Sequence, residues 1–241
     1  MPEEAFATTH WSLVLGARDE ADTRAQEAMG RLCQIYWPPL YAWLRRQGYS
    51  APDAEDLVQG FFERFLSLGY LRDVARDKGR FRSFLVASLR HYTLASHRHD
   101  RAQRRGKGEV PLVWDEPGVA ERCETAWQRL EAPELVYDRV WAETVMSRAA
   151  QALRREYETS GNGGLFEGIR RWLAAEARPG EYAVAGPAMG MSEGALAVAV
   201  HRLRQRYRRL VRAEVAQTVS NPDEIEGELH HLLKVLMRVG V

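Results

Sequence analysis

Only two cysteines, Cys33 and Cys123, occur in 241 residues. They are far apart and form no CxxC pair, which argues against a disulfide framework or zinc ribbon and fits a reducing cytosol. No apolar run approaches the ~18 residues of a membrane span. The opening Met1-Pro2-Glu3-Glu4-Ala5 is acidic and lacks the basic and apolar segments of a signal peptide. A cytoplasmic protein with no membrane partner is expected. Ser/His/Asp groupings and phosphate loops are also missing. His97 and His99, like His230 and His231, have no second ligand pair at useful spacing. No enzymatic activity, metal or cofactor is therefore expected.

What the chain does have is segregated charge. The formal net charge is only +1. From Arg76 to Lys107, however, ten cations face two acids, whereas from Glu109 to Glu143 nine acids face three cations. A third block, Ala195 to Ala213, is cationic and contains no acid. Two basic blocks separated by an acidic one suit two polyanion contacts joined by a segment that should not stick to polyanions.

Period-two alternation is absent, and nearly every long segment has helical spacing. Ala21 to Gln47 places Ala25, Met29, Leu32, Tyr36, Leu40, Trp43 and Leu44 at such spacing, with a kink expected at Pro38-Pro39. After the Gly48–Pro52 break, Ser50 or Asp53 caps a helix burying Leu57, Phe61, Phe62, Phe65 and Leu66. A third stretch from Phe81 to about Arg105 turns Phe81, Phe84, Leu85, Ser88, Leu89 and Tyr92 inward. Helices resume at Glu134 to Glu158, at Leu165 to Ala177, and after Asn221-Pro222. The last helix carries Ile225, Leu229, Leu232, Leu233 and Leu236 on one face. The expected fold is all-α: two helical bundles joined by an acidic linker, the second containing a helix-turn-helix. The expected divisions are 1–108, a linker at 109–132, a second domain at 133–214 and an extension at 215–241 whose apolar face packs on that second domain.

The most informative stretch is Gly190 to Arg209. Gly190 sits at a bend, Ser192 is suited to cap the next helix, and Glu193 suits its positive start. Leu196, Val200, Leu203, Tyr207 and Leu210 form one apolar stripe, with His201, Arg202, Arg204, Arg206, Arg208, Arg209 and Arg212 on the other faces. Solvated surface helices usually mix charge signs, and this one does not. Glu181 to Ala188 is expected as the supporting first helix, shortened or kinked by Pro187.

Three motifs in this order carry a family resemblance. Asp53-Ala54-Glu55-Asp56-Leu57-Val58-Gln59-Gly60-Phe61-Phe62 is similar to the polymerase-binding helix of bacterial sigma factors. Phe81-Arg82-Ser83-Phe84-Leu85, continuing to Arg105, looks like the helix pair that opens and reads the −10 promoter element. Met191-Ser192-Glu193-Gly194-Ala195 resembles the start of the −35 reading helix. The chain thus resembles the extracytoplasmic-function class of sigma factors, in a subgroup with an extended C-terminal domain, over roughly residues 24–105 and 134–212.

The resemblance implies a promoter-recognition subunit whose partners are core RNA polymerase and promoter DNA, with an anti-sigma factor or other regulator as a further partner. It assigns Asp53, Glu55, Asp56, Gln59 and Phe62 to the polymerase clamp. It assigns Arg82, Arg90, His91, Tyr92, Arg98, Arg101, Arg104 and Arg105 to the −10 element. It assigns Ser192, Gly194, Ala195, Ala197, Val198, His201, Arg202, Arg204 and Arg206 to the −35 element. His91 stands where relatives commonly have Asn, and Ala197 where many carry Lys. The competing expectation is a helix-turn-helix regulator that binds DNA and never joins polymerase.

Overall fold

Residues 23–67, 81–102, 132–219 and 222–237 are described by the structure, a computed structural model. They are all-α. The eight α-helices among the described residues are α1 (Thr23–Arg46), α2 (Ala51–Ser67), α3 (Phe81–Ala102), α4 (Pro133–Thr159), α5 (Gly163–Ile169), α6 (Glu181–Ala188), α7 (Glu193–Ala216) and α8 (Ile225–Met237). Short 3-10 turns occupy Arg170–Leu173 and Pro222–Glu224. No strand occurs among the described residues.

Helix boundaries follow local chemistry. Ser50 caps α2: its Oγ accepts the Asp53 N–H at 3.3 Å while its hydroxyl donates to the Asp53 carboxylate at 2.5 Å. This Ser-x-x-Asp arrangement satisfies one free N–H at the start of the helix. α1 runs through Pro38 and Pro39, and both prolines are buried. The expected helix over Leu165 to Ala177 is instead α5 followed by a 3-10 turn ending at Leu173.

The chain separates into two compact units. The first contains the described residues up to Thr144 and those from Ala216 onward. Its core includes Leu32, Ile35, Tyr36, Leu40, Leu44, Val58, Phe61, Phe65, Phe81, Leu85, Leu89, Val136, Val140 and Trp141. Tyr36 meets Phe81 edge-on at 5.1 Å between ring centroids. The second unit, Val145–Val215, packs Leu153, Phe166, Ile169, Trp172, Leu196, Val200 and Leu203 into one cluster.

This division differs from the expected one at two places. Residues 133–144 group with the first unit rather than the second. The C-terminal segment also belongs to the first unit, where the sequence put its apolar face against the second domain. α8 meets the first unit through both a charge interaction and an apolar stripe. Glu228 of α8 is buried and accepts from Arg82 Nε of α3 at 2.9 Å. The buried residues of α8 are Ile225, Glu228, Leu232 and Val235, and Leu233 is 54% exposed.

Candidate nucleic-acid interface

In the second unit, α6 and α7 are joined by Met189–Ser192 and bent by 96°. Several features fix that turn. The Met191 N–H donates to the Gly186 carbonyl at 2.9 Å and the Gly190 N–H to the Pro187 carbonyl at 3.1 Å, the paired closing bonds of a Schellman end. Gly190 has φ +64°, where any side chain is strained. Gly186 is required for a different reason: a Cβ there would lie 2.6 Å from the Met191 carbonyl oxygen. Pro187, which cannot donate within the helix, stands one residue before its end. Ser192 Oγ then accepts the Ala195 N–H at 3.2 Å and starts α7.

The other end of α6 is anchored on the core. Glu181 accepts from Trp172 Nε1 at 3.0 Å and from the Arg178 N–H at 2.8 Å. The Arg178 bond, then the Trp172 bond and nearby arginines, hold the Glu181 carboxyl below its usual range. Trp172 also meets Tyr182 edge-on at 5.1 Å and takes the Arg171 guanidinium 4.1 Å from its ring centroid.

The two faces of α7 differ sharply. Leu196, Val200 and Leu203 are buried. Ser192, Gly194, Ala195, Val198, His201, Arg202, Gln205, Arg208 and Arg209 are exposed, and Ala197 is half-buried. Among the described residues no ion pair to Arg202 or Arg208 is found.

Two of the expected phosphate-contacting arginines have intramolecular partners. Arg204 donates to the carbonyls of Trp172 at 2.8 Å and Ala175 at 2.6 Å, closing the end of the 3-10 turn. Arg206 grips Glu156 with two bonds, at 2.7 and 2.5 Å. That grip is the main cause lowering the Glu156 carboxyl pKa. These partners hold both side chains against the protein, and the Arg206 side chain remains 41% exposed.

In the first unit, α2 exposes Asp53, Glu55 and Asp56, with Gln59 half-buried and donating to Glu63 at 3.0 Å. Phe62, expected at the polymerase contact, is 7% exposed and belongs to the core, its ring 5.5 Å from Phe61. α3 departs further from expectation. Arg82 is 8% exposed and paired with Asp138 at 2.5 Å and Glu228 at 2.9 Å, so it is a structural cation and not a surface one. Arg90 pairs with Glu134 at 2.8 Å and lies 5.8 Å from the Trp43 ring centroid.

His91 is exposed, and Tyr92 is half-buried with its hydroxyl over Gly60, where a Cβ would come within 2.5 Å. Both line an open pocket with Phe61, Arg64, Phe65, Ser88 and Ala95. The side chains of Arg98 and Arg101, and all of Arg104 and Arg105, lie outside the described residues, as does the expected linker up to 131. The sequence gives no sign of Asp138, Glu134, Glu156 and Glu228 as partners, because each lies 44 or more residues from its arginine.

Among the described residues, no three His, Cys, Asp or Glu side chains gather as a metal site would need. No single described helix is long and apolar enough to cross a membrane. No protein-family model, curated protein or solved structure matches the chain.

Proposed function

We propose that this protein is a promoter-specificity subunit of bacterial RNA polymerase. The acidic face of α2, formed by Asp53, Glu55, Asp56 and Gln59, docks on a basic helical surface of the polymerase clamp. α3 and the basic residues that follow it approach the −10 element. α6 and α7 form the helix-turn-helix that anchors at −35. The observation that carries this reading is the α6–α7 pair. Its 96° bend and four-residue turn fall in the range of helix-turn-helix pairs, and the second helix is apolar on its core side and cationic on its exposed side.

A second reading, a DNA-binding regulator independent of polymerase, draws support from Arg82 and Phe62. Both were expected in the first unit's contacts, and both are interior. Copurification of the full chain with core RNA polymerase separates the two. Retention on core, lost when Asp56 is changed to Lys while the thermal transition is unchanged, supports the sigma reading. Failure of the wild-type chain to bind core, with duplex DNA still bound, leaves the regulator.

A further inference from the structure

The exposed line of α7 carries more than cations. At about 100° per residue, Gly194, Val198, His201 and Gln205 fall along one strip, opposite the buried Leu196, Val200 and Leu203. Val198 is 50% exposed on this strip, flanked by the small residues Gly194, Ala195, Ala197 and Ala199, so it is not packed into the core. His201 Nε2 and Gln205 Nε2 are 2.9 Å apart. An amide nitrogen has no lone pair to offer, so Gln205 donates and His201 Nε2 accepts. In a neutral imidazole the proton then sits on Nδ1, which is left as a single donor. Arg202, Arg208 and Arg209 lie exposed beside the strip and suit the flanking phosphates.

We propose that Val198 and His201 form a composite base-reading point, with Val198 packed on the 5-methyl group of a thymine and His201, its ring held by Gln205, donating from Nδ1 to the N7 of an adjacent purine. The major groove displays both features: the thymine methyl is its apolar mark, and N7 is the acceptor on every purine. Gln205 acts here as a positioning residue: donating to Nε2, it favours the tautomer with the proton on Nδ1. Gly194 and Ala195, one turn earlier, leave room for the groove wall. The inference rests on α7 being the DNA-contacting helix.

The test uses the full chain with core RNA polymerase. A duplex is selected from a randomised library, and each thymine is then replaced by uracil and each purine by its 7-deaza form, one position at a time. At one position uracil should weaken wild-type binding about fourfold, the value of one buried methyl group, and should have no effect on Val198→Ala. At a neighbouring position the 7-deazapurine should cost about five- to tenfold. That penalty should vanish in His201→Ala and shrink in Gln205→Ala, with the salt dependence of both variants unchanged. A selected duplex that tolerates every substitution overturns the base-reading point and leaves the helix as a phosphate binder. If no duplex is selected, the DNA-contacting role of α7 fails and this inference with it.

Discussion

Arg82 of α3 and Glu228 of α8 are bonded at 2.9 Å across 146 residues of sequence, with Glu228 3% exposed. Asp138 of α4 holds the other side of the guanidinium at 2.5 Å. Tyr137 donates from its hydroxyl to the Arg82 carbonyl at 3.1 Å. Three segments distant in sequence therefore meet on one buried cation. Removing Glu228 leaves the guanidinium paired with Asp138 alone and its Nε–H without that acceptor. Glu228→Ala should cost about 1–3 kcal/mol in urea denaturation of the full chain. Glu228→Gln, which keeps an oxygen acceptor, should cost less. Equal stability of Glu228→Ala and wild type would contradict the buried pairing.

The turn between α6 and α7 makes a second expectation quantitative. Gly190→Ala places a side chain at φ +64° and should destabilise by about 1–2 kcal/mol. Gly186→Ala must also relieve a 2.6 Å approach to the Met191 oxygen, a backbone atom that cannot swing aside. Its loss of melting temperature should be the larger of the two. A Gly186→Ala variant that melts like wild type would mean that the helices are not held as described.

The arginines of α7 should separate by salt dependence. Arg202 is exposed, and Arg202→Ala should lower the slope of log K against log salt by about one phosphate contact. Arg206 is already paired with Glu156, so Arg206→Ala should leave the slope nearly unchanged and cost about 1 kcal/mol or less in stability. The reverse ranking would show that Arg206 leaves Glu156 for DNA.

Cys33 supplies a chemical probe of the first unit. Burial pushes its thiol up to about 12. The folded pKa lies above that of a free thiol, so the folded state holds the proton through neutral and mildly alkaline pH. The thiolate is the reactive form. At pH 8 its fraction is then on the order of 10⁻⁴, and iodoacetamide should modify Cys33 roughly a thousandfold more slowly in the folded chain than in urea. Site-resolved mass spectrometry gives the rate, and equal rates in both states would contradict the burial.

The helices and their caps were readable because they depend on neighbours in sequence. Ser50, Ser192, Gly190 and Pro187 each act within four residues, and each stands at the boundary its chemistry suggests. The apolar stripe of α7 was readable for the same reason. The partners of Arg82, Arg90 and Arg206 were not, since spacing along a chain says nothing about which distant carboxylate folds back. The same cause hid the burial of Glu228 in α8. Of the expected stripe, Ile225 and Leu232 are buried and Leu229 and Leu236 half-buried, while Leu233 is exposed and Glu228 and Val235 are buried beside them.

Transcription initiation by core RNA polymerase supplied with this chain is the most direct test. Genomic fragments probed with permanganate should show unpaired thymines just upstream of discrete start sites, with run-off transcripts from the same sites. Both should disappear with Asp56→Lys. The absence of any start site, together with failure of the wild-type chain to bind core, would contradict a sigma-factor function.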